Sequence, residues 1–390
     1  MSIKGKAYIV GIYEHPTRLA TDKTIPQLHA ESARGALEDA GLTKNDIDGY
    51  FCAAGDTPGL GALSMIDYLG LKLKHIDSTD VGGSSYLLQV GHVAEAIAAG
   101  KCSIALITLA GRPRAEGMAT GTAPRAPERP MPESGFELPY APATANMYAM
   151  AAMRHMHEYG TTSEQLAWIK VAASHHAQHN RHAMLRDVVT VEDVVNSPMI
   201  ADPLHRLDCC VISDGGGAII MTTPEIAKSL KRPLVKLIGA GEAPKHQMGG
   251  KVDLTYSGGA WSGPLAFAEA GVKPSDIKYA SIYDSFTITV LMQLEDLGFC
   301  EKGQGGRFVS DGNLISGVGK LPFNTDGGGL CNNHPSNRGG LTKVLEAVRQ
   351  LRGEAHPAVQ VKNCDLALAH GTGGSLGTRH AGATVIMERE

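Results

Sequence analysis

Two serines follow a glycine turn in the stretch DVGGSSYLLQVGHVAEAIAAGK, which spans residues 80–101. The stretch reads as the end of a strand, the turn, Ser84 and Ser85, and then an amphipathic helix. A helix N-terminus stabilises negative charge that develops beside it, so a serine there can serve acyl transfer. Serine is also a common N-cap residue, and on spacing alone the capping interpretation is favoured.

A second glycine-rich turn, FNTDGGGLCNNHPSNRGG at residues 323–340, places His334 just before another helix. Pro335 restricts the backbone after His334, so the imidazole is held in one place, and an imidazole exchanges protons near neutral pH. Cys331 precedes it by three residues and is a candidate thiol nucleophile. The pattern favours a functional role for His334 over a structural one.

Two further strand ends carry polar groups. YDSF, residues 283–286, ends a strand with Tyr283 and Asp284, which are either acid–base groups or a turn. HGTGGSLGTRH, residues 370–380, either lines a thioester or phosphate site through backbone N–H groups or forms a tight turn.

The overall composition excludes several classes of protein. A net charge of −4 does not indicate a polyanion-binding surface, so no nucleic-acid partner is predicted. No apolar run reaches the length of about 18 residues that a membrane span needs. Seven cysteines without CxxC spacing, and a start directly on a strand, predict a cytoplasmic, reducing setting.

A histidine-rich stretch raises the question of a metal. Its spacings of three and four residues would place the imidazoles on one helix face, but no acidic or cysteine partner lies nearby, so no metal site is predicted. The stretch contains His175, His176, His179 and His182.

An internal repeat organises the elements that carry these residues. Aligning Ala40-Gly41 with Ala270-Gly271, an offset of 270 − 40 = 230, gives helix, glycine stop, short loop and strand in both copies. A later helix–glycine–strand unit repeats with Gly100 matched to Gly353. Two pseudo-symmetric halves are predicted, with the Ser84 and His334 turns meeting near the axis.

The segment between the halves has a different amino-acid composition. A Pro- and Gly-rich stretch is followed by two predicted helices, one of them rich in methionine. Long inserted loops are usually functional. The methionines favour core filling over a wall for a bulky apolar substrate. The predicted domains are 1–110 (N-terminal half), 111–205 (loop subdomain covering the active site), 206–232 (remainder of that half) and 233–390 (C-terminal half).

Several motifs occur in an order that resembles the thiolase superfamily, over nearly the whole chain. They are SDGGGAIIM, YDSFTITVLMQLEDLGF, NTDGGGLCNNHP and HGTGG. The most similar branch is the sterol-carrier-protein-x or lipid-transfer-protein type. This resemblance implies an α/β thiolase fold of five layers, αβαβα, a homodimer or tetramer, and acyl-CoA thioesters as substrates with no bound cofactor.

The resemblance also implies residue roles. A typical member has a nucleophilic cysteine at the helix N-terminus, a position that counting back from Gly100 assigns to Ser84. The His-Asp-Cys-Phe motif of the branch reads Tyr283 to Phe286 here, so its acid–base cysteine is also missing. Its Gly-His-Pro motif keeps the histidine, as His334, which donates to the thioester oxygen and stabilises an enolate.

Loss of both cysteines disfavours covalent acyl transfer, because a serine hydroxyl needs a base to become a nucleophile. Enolate stabilisation survives, and it is what a retro-aldol cleavage requires. The hypothesis assigns Tyr283 as acid–base, His334 as enolate stabiliser, Asp284 as orienting group and Ser84 as hydrogen-bond donor. Substrate contacts are predicted for Gly83, Ser85, Ser285, Cys331, Asn333, His370, Gly371 and Gly373.

A cysteine-free branch of the superfamily, the steroid side-chain aldolases, resembles this pattern and has catalytic tyrosines. Those aldolases work with a small partner protein of OB-fold and zinc-ribbon type, which implies such a partner here. Two alternatives stay open. One is acyl transfer of 3-ketoacyl-CoA thiolase or acetyltransferase type, through Ser84 or Cys331, and the other is a non-catalytic scaffold that binds CoA or a partner.

Overall fold

A computed structural model describes residues 2–120, 143–245, 253–335, 339–374, 376 and 380–390. The strands in this part of the chain are β1 (Tyr8–Glu14), β2 (Gly49–Phe51), β3 (His75–Asp77), β4 (Ile104–Gly111), β5 (Met199–Ala201), β6 (Leu204–His205), β7 (Gly215–Thr222), β8 (Val235–Pro244), β9 (Tyr279–Ile282), β10 (Leu366–Gly374) and β11 (His380–Arg389).

The helices of the same ranges are α1 (Ile25–Ala40), α2 (Ala62–Leu69), α3 (Ser85–Ala98), α4 (Thr144–Tyr159), α5 (Ser163–Ala177), α6 (Val191–Val195), α7 (Pro224–Ser229), α8 (Gly259–Ala270), α9 (Thr287–Asp296), α10 (Gly305–Val309), α11 (Gly328–Cys331) and α12 (Gly340–Arg352).

The internal repeat is confirmed element by element. Helices α1 and α8 both end on a left-handed glycine, Gly41 at φ 71° and Gly271 at φ 70°, a conformation that side chains with a Cβ avoid. A 3₁₀ turn follows each, at residues 44–46 and 274–276, and strands β2 and β9 come next. The offset of 230 residues therefore holds for a helix stop, a turn and a strand.

The sheet has the mirrored order that a duplicated fold requires. Its strands run β3-β2-β4-β7-β1-β8-β11-β10-β9, so β1, β7, β4 and β2 of the first half match β8, β11, β10 and β9 of the second. Among the described strands, the two halves pair along β1 and β8, at Tyr8 with Lys236 and at Ile9 with Val235. Hydrogen bonding is continuous across this short seam, so the nine strands form one sheet to which each half supplies one layer.

Helices α3 and α12 form the middle layer between the two halves. Their apolar side chains pack in one core with strands from both sheets, including Tyr86, Leu87, Leu341 and Val344. Helix α1 packs on the outer face of the first sheet and α8 on that of the second. The layers alternate helix, sheet, helix, sheet, helix, which confirms the predicted thiolase architecture.

The segment inserted between the halves supplies α4, α5 and α6 and the hairpin β5–β6. Thr162 caps α5 by accepting from the Gln165 N–H. Both α4 and α5 pack against α9 of the second half. The Pro- and Gly-rich loop lies largely outside the described residues, at 121–142, and the domain boundaries at 111, 206 and 233 stay predictions.

Candidate active site

Tyr283 and His334 form a hydrogen-bonded pair between the end of β9 and the turn that follows α11. The Tyr283 hydroxyl lies 3.0 Å from His334 Nε2, and the two rings meet edge to face with centroids 5.5 Å apart. Both residues are buried, at 4% and 5% exposure. Tyr283 follows directly after β9, and its N–H donates to the His370 carbonyl oxygen. The structure thus brings together two side chains that the sequence proposed for chemistry.

Backbone contacts fix the turn that carries His334. The His334 N–H donates to Ser213 Oγ at 2.8 Å, and Ser213 Oγ donates to Asn333 Oδ1 at 2.6 Å. Asn333 Nδ2 donates to Glu14 at 3.2 Å. The amide of Asn333 therefore helps to hold the turn, and its role in substrate binding stays a prediction.

Asp284 holds the other side of the same turn. Its buried carboxylate accepts from the N–H groups of Gly329 at 2.8 Å and Leu330 at 3.1 Å, and it pairs with Lys343 Nζ at 2.6 Å. Helix α11 and the His334 turn are thereby tied to the residue next to Tyr283. Sequence reasoning missed Lys343, whose ammonium reaches Asp284 from α12.

Gly83, rather than Ser84, is the residue that faces Tyr283. A Cβ on Gly83 would lie 2.6 Å from the Tyr283 hydroxyl oxygen and 2.4 Å from the Thr372 carbonyl oxygen. The buried Ser84 hydroxyl lies 3.4 Å from the carbonyl oxygens of Val81 and Ala381. A side chain at position 83 would therefore collide with Tyr283, and glycine lets the backbone lie against the Tyr283 hydroxyl.

Glycines let the backbones around Gly83 approach each other closely. A Cβ on Gly340, at the start of α12, would lie 2.3 Å from the Gly83 carbonyl oxygen, so the two pseudo-symmetric turns touch. On β10, a Cβ on Gly371 would lie 2.5 Å from Leu87, and one on Gly373 would lie 2.0 Å from the Val81 oxygen. Gly371 and Gly373, which the sequence predicts to contact substrate, thus allow close packing of the backbone.

The other predicted serines have local partners. Ser85 Oγ donates to the Gly82 carbonyl oxygen at 2.6 Å and accepts from the Val81 N–H at 2.9 Å, which shapes the turn. Ser285 Oγ lies 3.1 Å from Thr289 Oγ1, one turn further along α9.

The side chains of Cys331 and His370 contact groups other than Tyr283 and His334. Cys331 Sγ lies 3.2 Å from Lys170 Nζ, and burial raises the pKa of its thiol, which disfavours the nucleophilic thiolate. His370 Nδ1 lies 2.8 Å from Thr384 Oγ1, and burial lowers the pKa of His370 to about 3. His370 contributes to the site through its carbonyl oxygen.

Tyr148 of α4 is a further phenol at the site that the sequence did not single out. Its ring stacks on Phe286 with centroids 4.7 Å apart and an interplanar angle of 27°. Burial raises the pKa of Tyr148 to about 12, and hydrogen bonding to Ser285 and Thr372 opposes the rise. Helical spacing is the signal in the sequence that could have drawn attention to Tyr148. Tyr148 and His155 lie two turns apart on α4, and both are buried.

Imidazoles of the histidine-rich stretch contact other groups of the protein. His176 Nε2 accepts from the Ser316 N–H at 2.9 Å, and His179 stacks on His356 with centroids 5.0 Å apart. Within the described residues, no group of three or more His, Cys, Asp or Glu side chains is placed to hold a metal ion. In the same ranges no helix is long and apolar enough to cross a membrane.

Parts of the two glycine-rich motifs lie outside the described residues. These are residues 336–338 of the turn after His334, and residues 375 and 377–379 between β10 and β11.

Comparisons with known proteins agree with this architecture. The profile of the thiolase C-terminal domain-like family matches residues 241–389. A steroid side-chain-cleaving aldolase of Thermomonospora curvata is 34% identical over 90% of this chain and 91% of that protein. An acetyl-CoA acetyltransferase of Methanothermobacter thermautotrophicus is 31% identical over 95% of this chain and 97% of that protein.

A solved structure shows that the similarity extends to the three-dimensional fold. The Ltp2-ChsH2(DUF35) aldolase superposes with a TM-score of 0.88 and 31% sequence identity, covering 99% of this chain and 98% of that one. The matches therefore extend over nearly the whole chain. The chain belongs to the thiolase superfamily, in the aldolase-like branch that contains the steroid side-chain-cleaving aldolase, and is an enzyme.

Proposed function

We propose that the protein cleaves the Cα–Cβ bond of a β-hydroxyacyl-CoA thioester by a retro-aldol reaction, without a covalent acyl-enzyme. The observation that carries the proposal is the Tyr283–His334 pair, 3.0 Å between oxygen and nitrogen, facing Gly83 where no nucleophile can be attached. A hydrogen-bonded phenol and imidazole can move a proton, and they leave the substrate carbonyl unattacked.

The chemistry follows from that pair. The Tyr283 oxygen takes the proton of the β-hydroxyl while the phenolic proton passes to His334 Nε2. The Cα–Cβ electron pair moves onto the thioester as an enolate, and the β-carbon becomes a ketone or aldehyde. The imidazolium formed at His334 stabilises the enolate charge beside it. Proton return to Cα releases the shortened acyl-CoA.

Acyl transfer has weaker support in this site. The Ser84 hydroxyl is buried against two carbonyl oxygens, and among the described residues no base contacts it. The Cys331 thiol contacts Lys170 of α5, and burial raises its pKa. Neither group is an activated nucleophile in contact with the Tyr283–His334 pair.

The substrate class and partners follow from the relatives. A bulky, apolar acyl group of steroid type is proposed, because the aligned aldolase of Thermomonospora curvata is named for cleaving steroid side chains. A small partner protein is proposed, because the structural relative is named as a complex with ChsH2, a DUF35 protein. We further propose a homodimer or tetramer in the cytoplasm, from the family resemblance and the sequence.

The test uses the protein co-expressed with a DUF35 protein and a panel of β-hydroxyacyl-CoA thioesters. We expect a ketone or aldehyde and a shortened acyl-CoA by mass spectrometry, and a kcat lowered about 100-fold or more by Tyr283→Phe. Tyr159→Phe removes a hydroxyl outside the site and serves as the matched control. Undiminished cleavage by Tyr283→Phe would remove Tyr283 from the mechanism.

A further inference from the structure

The backbone of His334 is bound on both sides by Ser213, which lies just before β7 of the first half. The His334 N–H donates to Ser213 Oγ at 2.8 Å, and the Ser213 N–H donates to the His334 carbonyl oxygen at the longer distance of 3.5 Å. Ser213 also forms a parallel bridge with Pro335. Helix α11 ends at Cys331, so these contacts bind His334 where no helical hydrogen bonds reach it. Both polar backbone groups of the catalytic histidine therefore meet one residue.

Glu14, at the end of β1, is a charged group beside the same turn. Its Oε1 accepts from Arg18 Nη2 at 2.7 Å, and its Oε2 accepts from Arg349 Nη2 at 3.0 Å. Burial opposes ionisation of this carboxyl, but the two guanidinium groups lower its pKa to about 2. Glu14 is therefore ionised throughout the neutral range and can only accept hydrogen bonds.

The charge on Glu14 determines the direction of the hydrogen bonds that lead to His334. Because Glu14 only accepts, the amide of Asn333 must turn its Nδ2 towards it, at 3.2 Å. Asn333 Oδ1 then faces Ser213 Oγ, which donates to it at 2.6 Å. The single proton of the Ser213 hydroxyl is used in this bond, so its oxygen is left to accept the N–H of His334.

Asp214 attaches the neighbouring position of the chain to the first half. Its fully buried carboxylate accepts from the N–H groups of Ala20 and Arg114, each at 2.7 Å. Residue 20 precedes α1, and residue 114 follows β4. Ser213 thus stands on a fixed base, and contacts made by the first half determine where His334 of the second half lies.

We propose that Ser213 is a positioning residue that keeps the His334 imidazole within hydrogen-bond reach of Tyr283 during cleavage. This role rests on the proposed function. Proton transfer between the two side chains needs the separation of 3.0 Å that joins His334 Nε2 to the Tyr283 hydroxyl. Ser213 acts through the backbone of His334 and exchanges no proton with the substrate. Displacement of such a group by about 1 Å can lower turnover about 100-fold.

Ser213→Ala removes the hydroxyl and tests this role. We expect kcat for a β-hydroxyacyl-CoA to fall about 10- to 100-fold, with the Kd of the shortened acyl-CoA, measured by calorimetry, within a few-fold of wild type. A His334→Gln background has no imidazole to position, so there Ser213→Ala should change the remaining kcat by less than about two-fold. Ser281→Ala is the matched control with wild-type kcat, because it removes a buried hydroxyl of β9 that has no hydrogen-bond partner within the described ranges.

Amide hydrogen exchange examines the anchor independently of cleavage. In Ser213→Ala the His334 N–H loses its acceptor, so in D₂O it should exchange about 10-fold or more faster than in wild type, measured by mass spectrometry of peptides that contain His334. If Ser213→Ala does not fold, Ser213→Cys keeps the volume and a weaker acceptor. That variant should show smaller changes of kcat and exchange in the same directions.

The outcomes separate the anchor from the reaction. Wild-type kcat in Ser213→Ala, unchanged exchange at His334, or an equal loss of kcat in the His334→Gln background overturns the proposal. A loss of kcat that needs His334, together with faster exchange, upholds it. Faster exchange in a protein that cleaves no β-hydroxyacyl-CoA upholds Ser213 as the anchor of His334 and refutes the cleavage.

Discussion

Replacing Lys343 with methionine tests whether the Asp284–Lys343 pair holds the catalytic turn. The ammonium is 2.6 Å from Asp284 Oδ1, and both side chains are almost completely excluded from solvent. Methionine fills a similar volume without the charge. The substitution therefore leaves a buried carboxylate that keeps two of its three donors, the N–H groups of Gly329 and Leu330.

The structure sets the size of the effect. Breaking one partner of a buried ion pair costs about 3–5 kcal/mol, because a charge stays behind without compensation. The two remaining N–H donors place Lys343→Met near the lower limit, at a loss of about 3 kcal/mol in the free energy of unfolding. Asp284→Asn should cost a similar amount, since it leaves the ammonium unpaired. The double variant buries no net charge, so its loss should be smaller than the sum of the single losses by more than about 1 kcal/mol.

Urea unfolding of the wild type, the two single variants and the double variant gives this cycle. The same proteins should show lower kcat in the cleavage assay, because Asp284 ties α11 and the His334 turn to Tyr283. Additive losses, or a Lys343→Met variant as stable as wild type, would refute the reasoning that the pair is a structural tie.

Two further predictions concern Gly83 and the hydrogen bond between His92 and Asp77. Gly83→Ala places a carbon 2.4 Å from the Thr372 oxygen, so we expect a loss of about 1–3 kcal/mol in unfolding free energy and a loss of cleavage. Gly91→Ala, on the helix α3 that follows this turn, should cost less, because its nearest atom is at 3.3 Å. Equal effects of the two substitutions in thermal melts and cleavage assays would contradict the close approach at Gly83. A hydrogen bond to Asp77 raises the pKa of His92 to about 10, so its stabilisation is complete below its ordinary pKa of 6.5 and is lost as pH rises through 10. His92→Gln should therefore be less stable than wild type at pH 7 in urea, with a gap that closes towards pH 10.5; a constant gap would rule out the titration.

Much of the fold could be predicted because it depends on local signals. The glycine stops at Gly41 and Gly271, and the matching strand that follows each, are encoded within about a dozen residues of sequence. The duplicated pattern then implied two similar halves and a central meeting of their turns. The inserted helices were also predictable, since the capping residue Thr162 and the apolar pattern lie side by side in the chain.

The site was harder to predict because its contacts join distant residues. Counting back from Gly100 gave Ser84, but the chain makes a 3₁₀ turn over Gly82–Ser84 before α3, and this turn directs position 83 at Tyr283. Lys343 meets Asp284 across 59 residues. Such pairings are decided by how the layers pack, and nothing in the local pattern of either residue indicates them.

The fate of the CoA group during turnover tests the central claim most directly. A β-hydroxyacyl-CoA is mixed with enzyme, quenched during turnover, and both small molecules and intact protein are weighed by mass spectrometry. We predict a ketone or aldehyde together with a shortened acyl-CoA in equal amounts, and protein of unchanged mass. Release of free CoA with an acyl group attached to the protein, on Ser84 or Cys331, would contradict a cleavage that proceeds without a covalent intermediate.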